Sequence, residues 1–76
     1  MNVAGRGKNE VVARFMRFDV VRLRHGVSEF GIPPGTEAEV LDVYPAGYEV
    51  EVIDDNGRML YVGPAADSDL ELVARS

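Results

Sequence analysis

Apolar and polar residues alternate with a two-residue period through most of Pro34–Val62, PGTEAEVLDVYPAGYEVEVIDDNGRMLYV. That period sends successive side chains to opposite faces of an extended strand. Over Thr36–Tyr44, Ala38 and Val40 are expected inward and Glu37 and Glu39 outward. The phase then slips at Val40–Leu41, so that Leu41 and Val43 face one way and Asp42 and Tyr44 the other. A one-residue slip inside a strand predicts a bulge or sharp bend. Tyr48–Ile53 resumes the alternation, with Tyr48, Val50 and Val52 inward and Glu49 and Glu51 outward. Pro45-Ala46-Gly47 forms the turn between these two strands. The Asn56-Gly57 pair is a strong hairpin signal and leads into a fourth strand over Arg58–Val62.

The flanks complete the pattern. Phe18–Arg24 alternates as a first strand, Val21 and Leu23 against Arg22 and Arg24. Gly26–Gly35 is expected to be a long loop anchored by Val27, Phe30 and Ile32, because Pro33-Pro34 cannot sit in a central strand. Gly63-Pro64-Ala65-Ala66 breaks the fourth strand, and Asp67-Ser68-Asp69 makes a tight turn into a closing strand, Leu70–Val73. Five short strands punctuated this way predict an all-β fold of the barrel or sandwich kind. Ahead of them, Asn9–Arg17 suits a short helix: Asn9 as N-cap, Glu10 in the first turn, and Val11, Val12, Phe15 and Met16 on one face. A helix this short is marginal alone, so it is expected to dock or fray. Met1–Lys8, with two glycines and no apolar period, is expected to be disordered. The chain thus divides into a flexible or helical arm over residues 1–17 and a small β-barrel domain over residues 18–76, with Met16 as an alternative start position for the polypeptide.

Size narrows the function classes. A chain of 76 residues is one domain with a thin core. It has no cysteine, which suits a reducing cytosol and removes disulfides and thiolate metal sites. No apolar run is long enough for a membrane span, and the N-terminus lacks the apolar core of a signal peptide, so a cytoplasmic protein is expected. The net charge of −5 is unevenly divided: residues 1–25 carry +4 and residues 26–76 carry −9. Such an asymmetry can steer encounter with a charged partner.

Candidate chemistry is sparse. His25 is the single histidine, and none of Ser28, Thr36, Ser68 and Ser76 sits in a nucleophile motif beside it. Asp54, Asp55 and Asn56 belong to a hairpin turn and lack the pattern of a calcium loop, and Asp67 and Asp69 are expected to cap a turn. No cofactor or metal site is expected, and no enzymatic activity. Glu37, Glu39, Glu49 and Glu51 leave the core on neighbouring strands and form a four-carboxylate patch, with Asp42 near it. The plain alternative is a solvated outer face. Arg14, Arg17, Arg22 and Arg24, interleaved with aromatic residues, raise nucleic-acid binding, against which stand the pI of about 4.6 and the acidic patch. Phe18 and Phe30 are expected in the core, Tyr44 outward, and Tyr48 and Tyr61 half-buried with their hydroxyls at the rim.

The opening Asp19-Val20-Val21-Arg22-Leu23, the stretch Gly35-Thr36 through Val43-Tyr44, the run Tyr48-Glu49-Val50-Glu51-Val52, the hairpin ending Gly57-Arg58 and the closing Asp69-Leu70 with Val73 together resemble small bacterial proteins grouped as domain of unknown function 4926. The resemblance covers Phe18–Val73. It implies a five-stranded Src-homology-3-like barrel, similar to the KOW segments of ribosomal and transcription factors and to the β-subunit barrel of nitrile hydratases. Turn glycines and core valines carry it, and these specify fold rather than activity. By analogy it implies an accessory or neutralising partner, of the antitoxin or immunity kind. The expected function is a non-enzymatic module that binds a basic protein through Glu37, Glu39, Glu49, Glu51, Tyr44 and Phe30. The alternatives are a nucleic-acid-associated barrel using the four arginines and an assembly subunit of a larger enzyme docking through Val11, Val12, Phe15 and Met16. An exposed edge strand also permits a homo-oligomer.

Overall fold

A computed structural model describes residues 13–76. Five strands follow in chain order: β1 (Val20–Leu23), β2 (Thr36–Tyr44), β3 (Gly47–Ile53), β4 (Met59–Ala65) and β5 (Leu70–Ala74). Short 3-10 turns at Ser28–Phe30 and Asp67–Asp69 punctuate them. All neighbours are antiparallel, in the order β4-β3-β2-β1-β5. The all-β expectation and the strand count hold. The ladder, however, is open: β4 and β5 are its two edges and no pairing joins them, so the expected closure into a barrel is not made by hydrogen bonds.

Alternation decides what is buried. Val21 and Leu23 of β1, Ala38 and Val40 of β2, Tyr48, Val50 and Val52 of β3, and Leu70 of β5 point to one side and form the core. Ile32 from the β1–β2 loop and Phe15 from the segment before β1 complete it. The phase slip in β2 is a bulge between Val40 and Asp42, as its apolar pattern requires. Leu41 is the extra residue, and beyond it Val43 returns to the core side opposite Tyr48.

Local expectations divide. The expected β3–β4 hairpin forms, closed by a three-residue loop: Asp54 N–H donates to the Arg58 carbonyl, Gly57 takes φ +81°, and the Asp54 carboxylate accepts from the N–H groups of Asn56 and Arg58, each at 2.9 Å. β4 also runs on through Gly63-Pro64, which the sequence marked as a break. An edge strand tolerates a proline with no N–H to donate. Gly63 has a different role: the Tyr61 ring and hydroxyl lie where a Cβ would stand, so any side chain there makes Tyr61 shift. Residues 13–17 form no helix; the rest of the expected Asn9–Arg17 helix, with Val11 and Val12, and the Met1–Lys8 segment lie outside the described residues.

The aromatic assignments also divide. Phe15 is 2% exposed, with its ring edge-to-face on Tyr48 at 5.4 Å, whereas its neighbour Met16 is 60% exposed. Phe18 and Phe30, expected in the core, are 58% and 59% exposed. Phe18 occupies the third position of the Met16–Asp19 turn at φ +73°, outside the extended conformation that would continue the β1 alternation. Phe30 belongs to the Ser28–Phe30 turn and lies edge-to-face on Tyr61 at 5.0 Å, while Ile32 takes the core position in that loop.

Candidate docking face on the outer sheet surface

The strand register sets the geometry of the acidic face. Glu39 of β2 stands directly opposite Glu51 of β3, and beyond the bulge Asp42 stands opposite Glu49. Like charges facing each other across a ladder are destabilising. Arginines relieve part of this. Arg22 of β1 lies between Glu37, 3.7 Å away, and Glu71 of β5, 3.8 Å away. Arg17 reaches Asp42 at 3.1 Å. Among the described residues, Glu39, Glu49 and Glu51 have no basic partner within ion-pair distance. A shallow depression of about 240 Å³ lies beside Glu39 and Glu51, with Val20 and Ile53 among its lining residues.

The four glutamates therefore lie on one face, Glu37 neutralised at one end and the bare Glu39–Glu51 pair at its centre. Tyr44 extends it: half-exposed, it donates a hydrogen bond to Glu49 Oε1 at 3.4 Å. Partial burial and the nearby Asp42 and Glu49 carboxylates raise the Tyr44 pKa above its ordinary value. The Asp42 carboxyl is held below its own by the Val43 N–H and then by Arg17. Phe30 is not part of this surface by contact; its aromatic partner is Tyr61.

The arginines expected to contact phosphates are not gathered. Arg14 Nε donates to Asp67 Oδ2 at 2.7 Å, and its guanidinium also reaches the Asp67 and Leu70 carbonyls. Arg17 and Arg22 serve the carboxylates named above, so Arg24 alone of the four makes no side-chain ion pair among the described residues. His25 is exposed, with Nε2 3.5 Å from Asp69, and no serine or threonine hydrogen-bonds to it. Among the described residues no group of three or more His, Cys, Asp or Glu is placed to hold a metal ion, and no helix is long and apolar enough to cross a membrane.

Asp19 is the polar residue that sequence reasoning passed over. It is 1% exposed, yet every approach to it is filled: Met16 N–H and Arg75 Nη1 donate to Oδ2 at 2.9 and 3.0 Å, and Ser76 N–H donates to Oδ1 at 2.9 Å. The Met16 and Ser76 N–H groups, aided by Arg75, outweigh the cost of burial and lower its pKa. The carboxylate ties the turn before β1 to the chain after β5. The sequence signal was slight, one acidic residue at the head of a strand whose other charges are basic.

A second polar knot adjoins it, since Arg75 Nη1 also donates to the Arg14 carbonyl at 3.0 Å. The Tyr48 hydroxyl donates to Asp67 Oδ1 at 2.9 Å and accepts the Arg14 N–H at 3.2 Å, so the tyrosine is buried with its hydroxyl satisfied rather than half-buried at a rim. Burial raises the Asp67 pKa, but hydrogen bonds from Arg14 and Tyr48 outweigh it and leave the net value lowered.

Residues 17–71 match the family described as Domain of unknown function (DUF4926). No curated protein and no solved structure matches the chain.

Proposed function

The chain belongs to the family of Domain of unknown function (DUF4926), and from that premise we propose that it is a non-enzymatic binding module that docks a basic protein on the outer face of β2 and β3. The Glu39–Glu51 pair carries this reading. Two carboxylates face each other across the ladder with no cation among the described residues, an arrangement that costs stability in the free protein and is relieved when a partner brings positive charge. The expected role is that of an accessory or neutralising partner acting in the cytoplasm of a bacterium. The antiparallel order, with a 3-10 turn before the last strand, supports placing the open sheet in the Src-homology-3-like class.

The test compares affinity capture from the native cell by wild type and by a Glu39→Lys/Glu51→Lys protein, with quantification by mass spectrometry. A basic protein recovered in stoichiometric amount by wild type and lost on charge reversal is the expected result. The same partners in equal yield from both baits would refute the reading. The nucleic-acid alternative is disfavoured by the engagement of Arg14, Arg17 and Arg22 with carboxylates.

One observation favours an assembly role as a second reading. The edge strand β4 exposes Met59, Leu60 and Val62 and carries no charged residue. Such an edge can accept a further strand. The apolar surface first expected for assembly is reduced, because Phe15 belongs to the chain's own core. Sedimentation of wild type and Leu60→Lys across a range of concentrations tests it: an unchanged mass for both removes self-assembly through β4.

A further inference from the structure

At the end of the sheet beyond the acidic face, the β2–β3 turn stands beside the last residues of β4. Between them runs an open groove of about 450 Å³, with Tyr44, Ala46, Gly47, Tyr48, Glu49 and Pro64 among its walls. A smaller hollow of about 180 Å³ continues it around the turn to Ala13 and Asp67. The walls of the larger groove are small or aromatic, and Glu49 is their one charge.

One lining residue of this groove, Tyr48, is anchored from the core side. Tyr48 is buried, packed edge-to-face on Phe15, and bonded to an Asp67 that Arg14 grips. Gly47 lets the turn approach β4 closely: a Cβ there would stand 2.8 Å from the Ala65 carbonyl oxygen. A wall anchored in this way lowers the ordering cost of binding. Tyr44 differs from Tyr48 in being half-exposed, with only a long hydrogen bond to Glu49. Of the facing carboxylates, Asp42 has Arg17, while Glu49 has no cation among the described residues.

We propose that this groove receives an extended segment of the partner protein bearing one arginine between small apolar residues. Its guanidinium lies on the Tyr44 ring and pairs with Glu49, and its neighbours cover Ala46, Pro64 and Ala65. The proposal rests on the acidic-face reading and specifies where the basic partner is anchored. An arginine fits better than a lysine, because a planar guanidinium can stack on an aromatic ring and bond a carboxylate through two N–H groups at once. A phosphate-bearing ligand is disfavoured by Glu49, the one charge in the groove, which has no cation among the described residues. The apolar walls require that carbon accompany the charge.

The full-length protein, labelled with nitrogen-15, is titrated with Ac-Ala-Ala-Arg-Ala-Ala-NH2 and with the same peptide carrying citrulline, which keeps the shape and removes the charge. The expected result is amide shifts confined to Tyr44–Glu49 and Ala65–Ala66. Affinity should fall about tenfold or more for the citrulline peptide, and for Glu49→Gln with the arginine peptide. Tyr44→Leu should weaken binding while leaving its charge dependence intact. Equal affinity for both peptides would overturn the proposal, as would a doubling of mass that traces the shifts to a second copy of the chain. Shifts gathered at Glu39 and Glu51 instead would overturn the groove and leave acidic-face docking standing. No shift at millimolar peptide would also overturn the groove, and the charge-reversal capture would then decide the broader reading alone.

Discussion

Phe15 lies only five residues before β1, in a segment without regular secondary structure, and its replacement by alanine should nonetheless remove a large share of the protein's stability. The ring is 2% exposed, meets Tyr48 edge-to-face at 5.4 Å, and has the Arg14 guanidinium 4.6 Å from its centroid. Truncating a buried phenylalanine costs about 3–5 kcal/mol, of which the aromatic pair accounts for roughly 0.5–1.5 kcal/mol. At roughly 0.05–0.15 kcal/mol per residue, a domain of this size has about 4–11 kcal/mol in total. Phe15→Ala therefore leaves a marginal fold, and a loss of 3 kcal/mol corresponds to a fall in Tm of about 12–24 °C. The assay is urea and thermal unfolding followed by far-UV circular dichroism, with Met16→Ala as the control. Met16 is 60% exposed, and its truncation should stay within about 0.5 kcal/mol of wild type. A Phe15→Ala protein within about 1 kcal/mol of wild type, with an unchanged denaturant slope, would show that the segment is peripheral and that Phe15 is not a core residue.

Three other outcomes follow from the same contacts. Gly63→Ala places a methyl group against the Tyr61 ring and hydroxyl, and should cost about 1–3 kcal/mol in urea unfolding together with a changed near-UV tyrosine signal. Asp19, Asp42 and Asp67 all have lowered pKa values, so the stability they contribute is fully present above the unfolded value of about 3.9 and is lost as pH falls through their lower native values. Thermal midpoints between pH 5 and pH 2 should show an acid limb that is shallower in Asp19→Asn, and an identical limb would remove Asp19 from that role. Ultraviolet titration of the phenols should find Tyr44 ionising above the ordinary tyrosine value, and Glu49→Gln should bring it down; an unmoved titration would mean that the two groups do not interact.

The acidic outer face of β2 and β3 was largely legible in the chain. Glu37, Glu39, Glu49 and Glu51 alternate with buried Ala38, Val40, Tyr48, Val50 and Val52, and two-residue periodicity is a local property that any half-buried strand must show. The bulge announced itself through the same pattern. What could not be read was which carboxylates would be neutralised. Arg17 and Asp42 are far apart in sequence, and Arg22 reaches Glu37 and Glu71 only because β1 lies between β2 and β5.

The sequence by itself determined the strand class, the faces of β2 and β3 and the position of most turns, because backbone propensity and side-chain period act over neighbouring residues. The tertiary structure alone decided that Phe15 rather than Phe18 or Phe30 fills the core, that Asp19 binds the chain after β5, and that a groove opens between the β2–β3 turn and the end of β4. Each of these depends on segments distant in the chain meeting in space, where packing volume and the satisfaction of buried polar groups, not local preference, select the partner.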